Sequence, residues 1–99
     1  MNTILLQFWE ESEKGWGVRP DGASLHIDKF SYQDYVNKIY SSRDPKNVPH
    51  EYERTIGEVV EAKVDKDLYD LVLNDKSVRL AQFQLNNLIK LENLKLNDD

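Results

Sequence analysis

Side chains that can do chemistry are sparse in this chain of 99 residues, which has two histidines and no cysteine. His50, with Glu51 and Glu53, is the nearest approach to a metal or acid–base cluster. Its spacing matches no zinc motif, and no second histidine is near in sequence. His26 falls on the expected outer face of a strand. A small hydrolase or metal enzyme would have to use His26 or His50 with a nearby carboxylate. Local context suggests no Ser-His-Asp order, although a triad assembled in space stays open. Without cysteine there is no disulfide, thiol chemistry or thiolate metal site. So few candidate bases argue for a protein that is not an enzyme and that needs no cofactor or catalytic metal. Arg19, Arg43, Arg54 and Arg79 suggest a second chemistry. If two or more converge, they can hold phosphates while a tyrosine stacks on a base, as in a sponge for a nucleotide signal.

The third chemistry is recognition of a protein partner. Gly15-Trp16-Gly17-Val18-Arg19-Pro20-Asp21-Gly22 holds three of the four glycines and one of the two tryptophans. Pro20-Asp21-Gly22 is a turn signal: proline presets φ, aspartate bonds local backbone and glycine accepts φ > 0. Trp16–Arg19 and Ala23–Ile27 are therefore expected to form a hairpin, with Thr3–Trp9 pairing beside it. Glu10-Glu11-Ser12-Glu13-Lys14 reads as the charged connection between the first two strands. Its carboxylates can mimic phosphates toward a basic partner, or simply solvate a loop. Trp16 either packs on the core or projects with Arg19 and Asp21 as an interface anchor. The expected partner-binding residues are Glu10, Glu11, Glu13, Trp16, Arg19 and Asp21.

Hydropathy patterning supplies the elements that would position these groups. Ala23, Leu25 and Ile27 alternate with Ser24, His26 and Asp28, as in a half-buried strand. Ser31 looks like an N-cap, with Asp34 three residues on. Tyr32, Tyr35, Val36, Ile39 and Tyr40 then line one helical face, and three tyrosines on one stripe read as core. Ser42–Pro49 is a loop, and Pro49 opens a short turn through Arg54. Gly57 separates that turn from a strand over Glu58–Val64. Asp65 caps a helix over Lys66–Asn74 with Leu68, Leu71 and Val72 buried. Ser77–Leu80 is a short strand with Val78 and Leu80 inward. Gln82–Leu91 is a last helix with Leu85, Leu88 and Ile89 on its buried face and Phe83 helping at its start. Leu94 and Leu96 extend the packing, and the chain frays over 96–99.

The fold class is α+β: a small antiparallel sheet, an N-terminal meander plus later strands, packed by two or three short helices on one face. One domain over 1–99 suits the length, which should bury about 65% of the unfolded surface. The net charge of −5 argues against nonspecific nucleic-acid binding, which needs a positive surface, but suits a basic groove on a partner. No secretory signal or membrane-length apolar run is present, so a cytoplasmic protein without membrane contact is expected. A homodimer remains open.

The run Gly15–His26 resembles a motif of small uncharacterised proteins of phages and bacterial mobile elements. Val48-Pro49-His50-Glu51-Tyr52 and Asn86-Asn87-Leu88-Ile89-Lys90-Leu91 resemble that class more weakly. Together these runs span about a quarter of the chain. The size, acidity and lack of cysteine are similar to those of phage anti-defence proteins, including anti-CRISPR inhibitors. The resemblance transfers no functional residues. It implies a non-catalytic inhibitor in a bacterial host cytoplasm, bound to a defence nuclease or its ribonucleoprotein.

Overall fold

The structure, a computed structural model, describes residues 2–13, 15, 17–42 and 52–96. Five strands form one antiparallel sheet: β1 (Asn2–Glu13), β2 (Gly17–His26), β3 (Tyr52–Val64), β4 (Ser77–Leu80) and β5 (Leu94–Leu96). Their order across the sheet is β4-β2-β1-β3-β5. Three helices connect them: α1 (Lys29–Ser41), α2 (Lys66–Asp75) and α3 (Gln82–Lys90). The architecture is α+β, as the patterning requires.

The helices do not share one face as expected. Ile4 and Leu6 of β1, Ala23 and Leu25 of β2 and Ala62 and Val64 of β3 form the apolar core with Val72 of α2 and Leu85 of α3. The opposite side chains of the same strands, Gln7, Trp9, Ser24 and His26, are also buried. They lie under α1, whose Tyr35 ring meets Trp9 and whose Tyr32 ring meets His26. Successive strand residues point to opposite faces, so the molecule has three layers. Its apolar layer lies under α2 and α3, and its more polar layer lies under α1.

Both strand boundaries that were read from glycine differ in the structure. β2 runs unbroken through Pro20-Asp21-Gly22 and pairs with β1 on both sides of it. The register passes from Phe8↔Ala23 to Glu10↔Pro20, which inserts one extra residue in β2. The expected turn is therefore a β-bulge, which calls for the same φ > 0 glycine. Glu10–Glu13 belong to β1 rather than to a connection. β3 likewise runs through Gly57, with the register shifting from Leu6↔Val60 to Phe8↔Ile56. His50 and Glu51, and most of the expected loop, lie outside the described residues.

The caps and stripes show smaller differences. Asp28, not Ser31, caps α1 by accepting the Ser31 N–H at 2.8 Å, and Ser31 is buried. Asp65 caps α2 as expected, accepting from the Leu68 N–H at 2.9 Å. Leu71 of α2 and Phe83 and Ile89 of α3 are exposed, while Leu68, Tyr69 and Leu88 pack on the core. Leu96 ends in β5 rather than in a frayed tail, and 97–99 lie outside the described residues.

Gly22 shows how tightly the bulge is built. Its φ is +80°, and a Cβ there would sit 1.9 Å from the Leu80 carbonyl oxygen of β4. At Gly57, φ is +67° but the surrounding space is open. Gly22→Ala should destabilise by about 2–5 kcal/mol, from left-handed strain plus displacement of β4. Gly57→Ala should cost about 1–2 kcal/mol, from the backbone conformation alone. Urea denaturation of both variants checks the order, and equal losses would contradict it.

Candidate functional site

Two groups of polar side chains meet on the α1 face of the sheet. The inner one is a hydrogen-bonded chain. The Trp9 indole N–H donates to Ser24 Oγ at 2.7 Å. Ser24 Oγ lies 2.7 Å from His26 Nε2, and His26 Nδ1 lies 2.8 Å from Ser77 Oγ. The Ser77 hydroxyl donates to the Ser31 carbonyl at 3.3 Å. One assignment of hydrogens fits every link. Ser77 spends its proton on Ser31, so its oxygen accepts from His26 Nδ1–H. His26 Nε2 then accepts from Ser24, whose oxygen accepts from Trp9. For a neutral imidazole this places the ring proton on Nδ1.

A serine hydroxyl on a histidine Nε2 has the contacts of a nucleophile and its base. Here Ser24 and His26 both have 0% exposure, and the far nitrogen of His26 faces a serine rather than a carboxylate. His26 therefore does not lie on an outer face, as its alternation with Leu25 suggested. Tyr32 and Tyr35 close over it at ring-centroid distances of 5.2 Å. Burial lowers its pKa from 6.5 to about 4.

Beside this chain, Gln7 links α1 to the β3 bulge. Its carboxamide nitrogen donates to the carbonyls of Phe8, Ile56 and Gly57 at 3.0, 2.9 and 3.3 Å. Its oxygen accepts from the Tyr32 hydroxyl at 2.9 Å, and burial raises the pKa of that hydroxyl. The carboxamide thus supplies partners that the interrupted ladder cannot.

The outer group centres on Arg79 of β4. Its guanidinium stands 4.9 Å from the centroid of the Trp9 ring, within cation–π range. Nη2 donates to the Asp21 carbonyl at 3.0 Å, to Asp21 Oδ2 at 3.1 Å and to Glu53 Oε1 at 3.1 Å. Burial raises the pKa of Glu53, and a hydrogen bond with Asp21 raises it further, against the opposing pull of Arg79. The bulge backbone is thereby held from two sides, since the Gly22 N–H donates to the Gln82 side chain at 2.8 Å.

The remaining predicted site residues lie along the far part of the β1–β2 hairpin. Glu11 and Glu13 both pair with Arg19, at 3.2 and 2.7 Å, and Glu10 pairs with Arg54 of β3. Glu11 also faces Glu53 directly across the β1–β3 ladder. Like charges in that position repel, and Arg19 and Arg79 offset the repulsion from either side. Trp16 and Arg43 lie outside the described residues. Arg19, Arg54 and Arg79 are each engaged by carboxylates. Among the described residues, no group of three or more His, Asp or Glu can hold a metal ion. No described helix is long and apolar enough to cross a membrane.

Gln7, Ser24, Ser77 and Arg79 were not singled out as a group by sequence. The available signal was Trp9, whose two-residue spacing from Gln7 places both beneath the tyrosine stripe of α1. No protein-family model, curated protein or solved structure matches the chain.

The depressed His26 pKa has a defined consequence for stability. Between about pH 6.5 and pH 4 the unfolded chain binds a proton at this position and the folded chain does not. Stability is fully present above 6.5 and falls as pH drops toward 4, by up to about 3 kcal/mol. Urea midpoints across this range should fall with pH in the parent and fall less in His26→Gln. An equally steep fall in the variant would remove His26 as the cause.

Proposed function

We propose that this protein is a non-catalytic inhibitor of phage type that binds a basic surface on a bacterial defence effector, such as a CRISPR nuclease, through the acidic end of the β1–β2 hairpin. The observation that carries this reading is the Arg19–Glu11–Glu53 row across three adjacent strands, with Glu13 alongside. Two carboxylates face each other where folding alone favours an opposite pair. The chain's own arginines screen them, and Arg19 is largely exposed, its side chain 62% accessible. A partner's lysine or arginine can take over this screening, leaving Glu11 and Glu13 to bind in a complementary field.

The strands supply rigidity. β1 pairs with β2 and β3 on its two sides through Glu11 and Ser12, so the acidic row is fixed in the free protein. Binding then has little backbone ordering to pay for. Asp21 serves a different purpose in this reading. It is committed to Arg79 and shapes the bulge behind the contact surface.

The test is phage plating on bacterial strains that each carry one defined defence system, with the protein supplied from a plasmid. At least one system should be relieved by about tenfold or more. The triple variant Glu10→Lys, Glu11→Lys, Glu13→Lys should lose that relief while thermal melting confirms a folded chain. Full relief by the folded triple variant would remove this surface, and no relief in a panel covering the nuclease-based systems would remove the inhibitor reading.

A further inference from the structure

β4 is the end strand of the sheet on the side away from β5. The Ile27 N–H donates to the Lys76 carbonyl at 3.0 Å, which fixes the phase of the β2–β4 ladder. Paired residues alternate between bonding inward and outward in an antiparallel ladder. With Leu25↔Val78 and Ser24↔Arg79 in register, Val78 and Leu80 bond toward β2. Ser77 and Arg79 direct their backbone N–H and C=O groups away from the sheet.

β4 is short, which itself limits pairing at an edge, but among the described residues it carries no charged side chain that stands free. End strands are commonly guarded by a charged side chain, and β5 at the other end has an exposed Lys95. The corresponding charge on β4 is Arg79, which is drawn back over Trp9 and tied to Asp21 and Glu53. A depression lies on each side of the edge. One, of about 490 Å³, is lined by residues including Phe30, Asp34, Asp75 and Ser77. The other, of about 440 Å³, is lined by Leu80, Phe83, Gln84, Asn87 and Leu88. Phe30 and Phe83 are 83% and 74% exposed, the highest values among the large hydrophobic side chains of the described residues.

We infer that the β4 edge is a docking site for an extended segment of a partner protein, which adds as a sixth strand and carries a basic and an apolar side chain three residues apart. The odd spacing sends the two side chains to opposite faces. Opposite Ser77, the basic group enters the first depression, where Asp28, Asp34 and Asp75 outnumber Lys38 and Lys76 and Phe30 offers a ring face. Opposite Leu80, the apolar group enters the depression formed with Phe83 and Leu88. Charge selects this occupant over a second copy, because each copy carries a net charge of −5. The site is separate from the acidic hairpin end and does not depend on it.

The probe is acetyl-Thr-Leu-Thr-Thr-Lys-Thr-amide, titrated into the ¹⁵N-labelled full chain by NMR. Antiparallel addition places its Lys opposite Ser77 and its Leu opposite Leu80. The Ser77 and Arg79 amides should shift at peptide concentrations up to about 1 mM, the range for a short strand alone. N-methylation of the probe at Lys and at the Thr two residues before it, Lys-to-Glu exchange in the probe, and Phe83→Ser in the protein should each weaken binding by about tenfold or more. No shift at Ser77 and Arg79, or equal binding of the N-methylated probe, would overturn the proposal. Concentration-dependent shifts of the same amides without peptide would also overturn it, by assigning the edge to a second copy.

Discussion

Arg79 is the interaction on which the α1 side of the molecule depends. One guanidinium touches side chains from β1, β2, β3 and α1: the Trp9 face, Asp21, Glu53 and, at 3.5 Å, the Tyr35 hydroxyl. A charge so placed has lost much of its water, and it is tolerable only because carboxylates and a carbonyl replace that water. The positions of Asp21 and Glu53 are therefore coupled. The bulge in β2 turns the Asp21 carbonyl toward Arg79 and leaves the Gly22 N–H for Gln82. A continuous ladder at that point would leave the guanidinium with fewer partners.

The two faces of the sheet reach order by different means. Under α2 and α3, aliphatic side chains exclude water, and packing tolerates conservative exchange. Under α1, every buried polar atom in the Trp9–Ser24–His26–Ser77 chain has an assigned partner. A fully satisfied network specifies one arrangement, while a half-satisfied one costs more than an apolar core. Three tyrosines of α1 share this logic. Their rings cover Trp9 and His26, and the Tyr32 and Tyr40 hydroxyls reach Gln7 and Thr55. Of the stripe expected to be core, only Val36 is buried; Tyr32, Tyr35 and Ile39 are half-buried and Tyr40 is exposed, so the stripe covers a polar layer and keeps one end in water.

The elements governed by simple periodicity were legible in the sequence. The strand over Ser77–Leu80, the Asp65 cap and the α+β class all follow from local patterns. The face of β2 was misread because Ser24 and His26 are polar, and alternation with apolar residues ordinarily marks a solvent side. Alternation reports two different faces, but not whether a helix covers the second. Pro20-Asp21-Gly22 and Gly57 were misread for a related reason. A glycine with φ > 0 ends a strand in a turn and continues it in a bulge, and the choice is made by distant groups: the Gln82 and Arg79 side chains for one, Gln7 for the other. The acidic residues of the hairpin were legible as a cluster, while their pairing with Arg19 and Arg54 required the register.

The two bulges also separate the fold from its exposed arm. They flank Phe8 on opposite sides of β1, at Phe8/Glu10 toward β2 and at Leu6/Phe8 toward β3. Bulges increase local twist and bend the strand that carries them, so the residues beyond Phe8 need not follow the plane that packs against α2 and α3. On the near side, Ile4 and Leu6 are buried by those helices. On the far side Gly17–Pro20 are exposed and the cross-strand ion pairs join Glu to Arg. Exposed ion pairs contribute little to stability, so the arm is held mainly by its backbone ladder and by Gln7 and Arg79 at its base. Its side chains are thereby released from the demands of the core, which is what the binding to a basic surface proposed above requires.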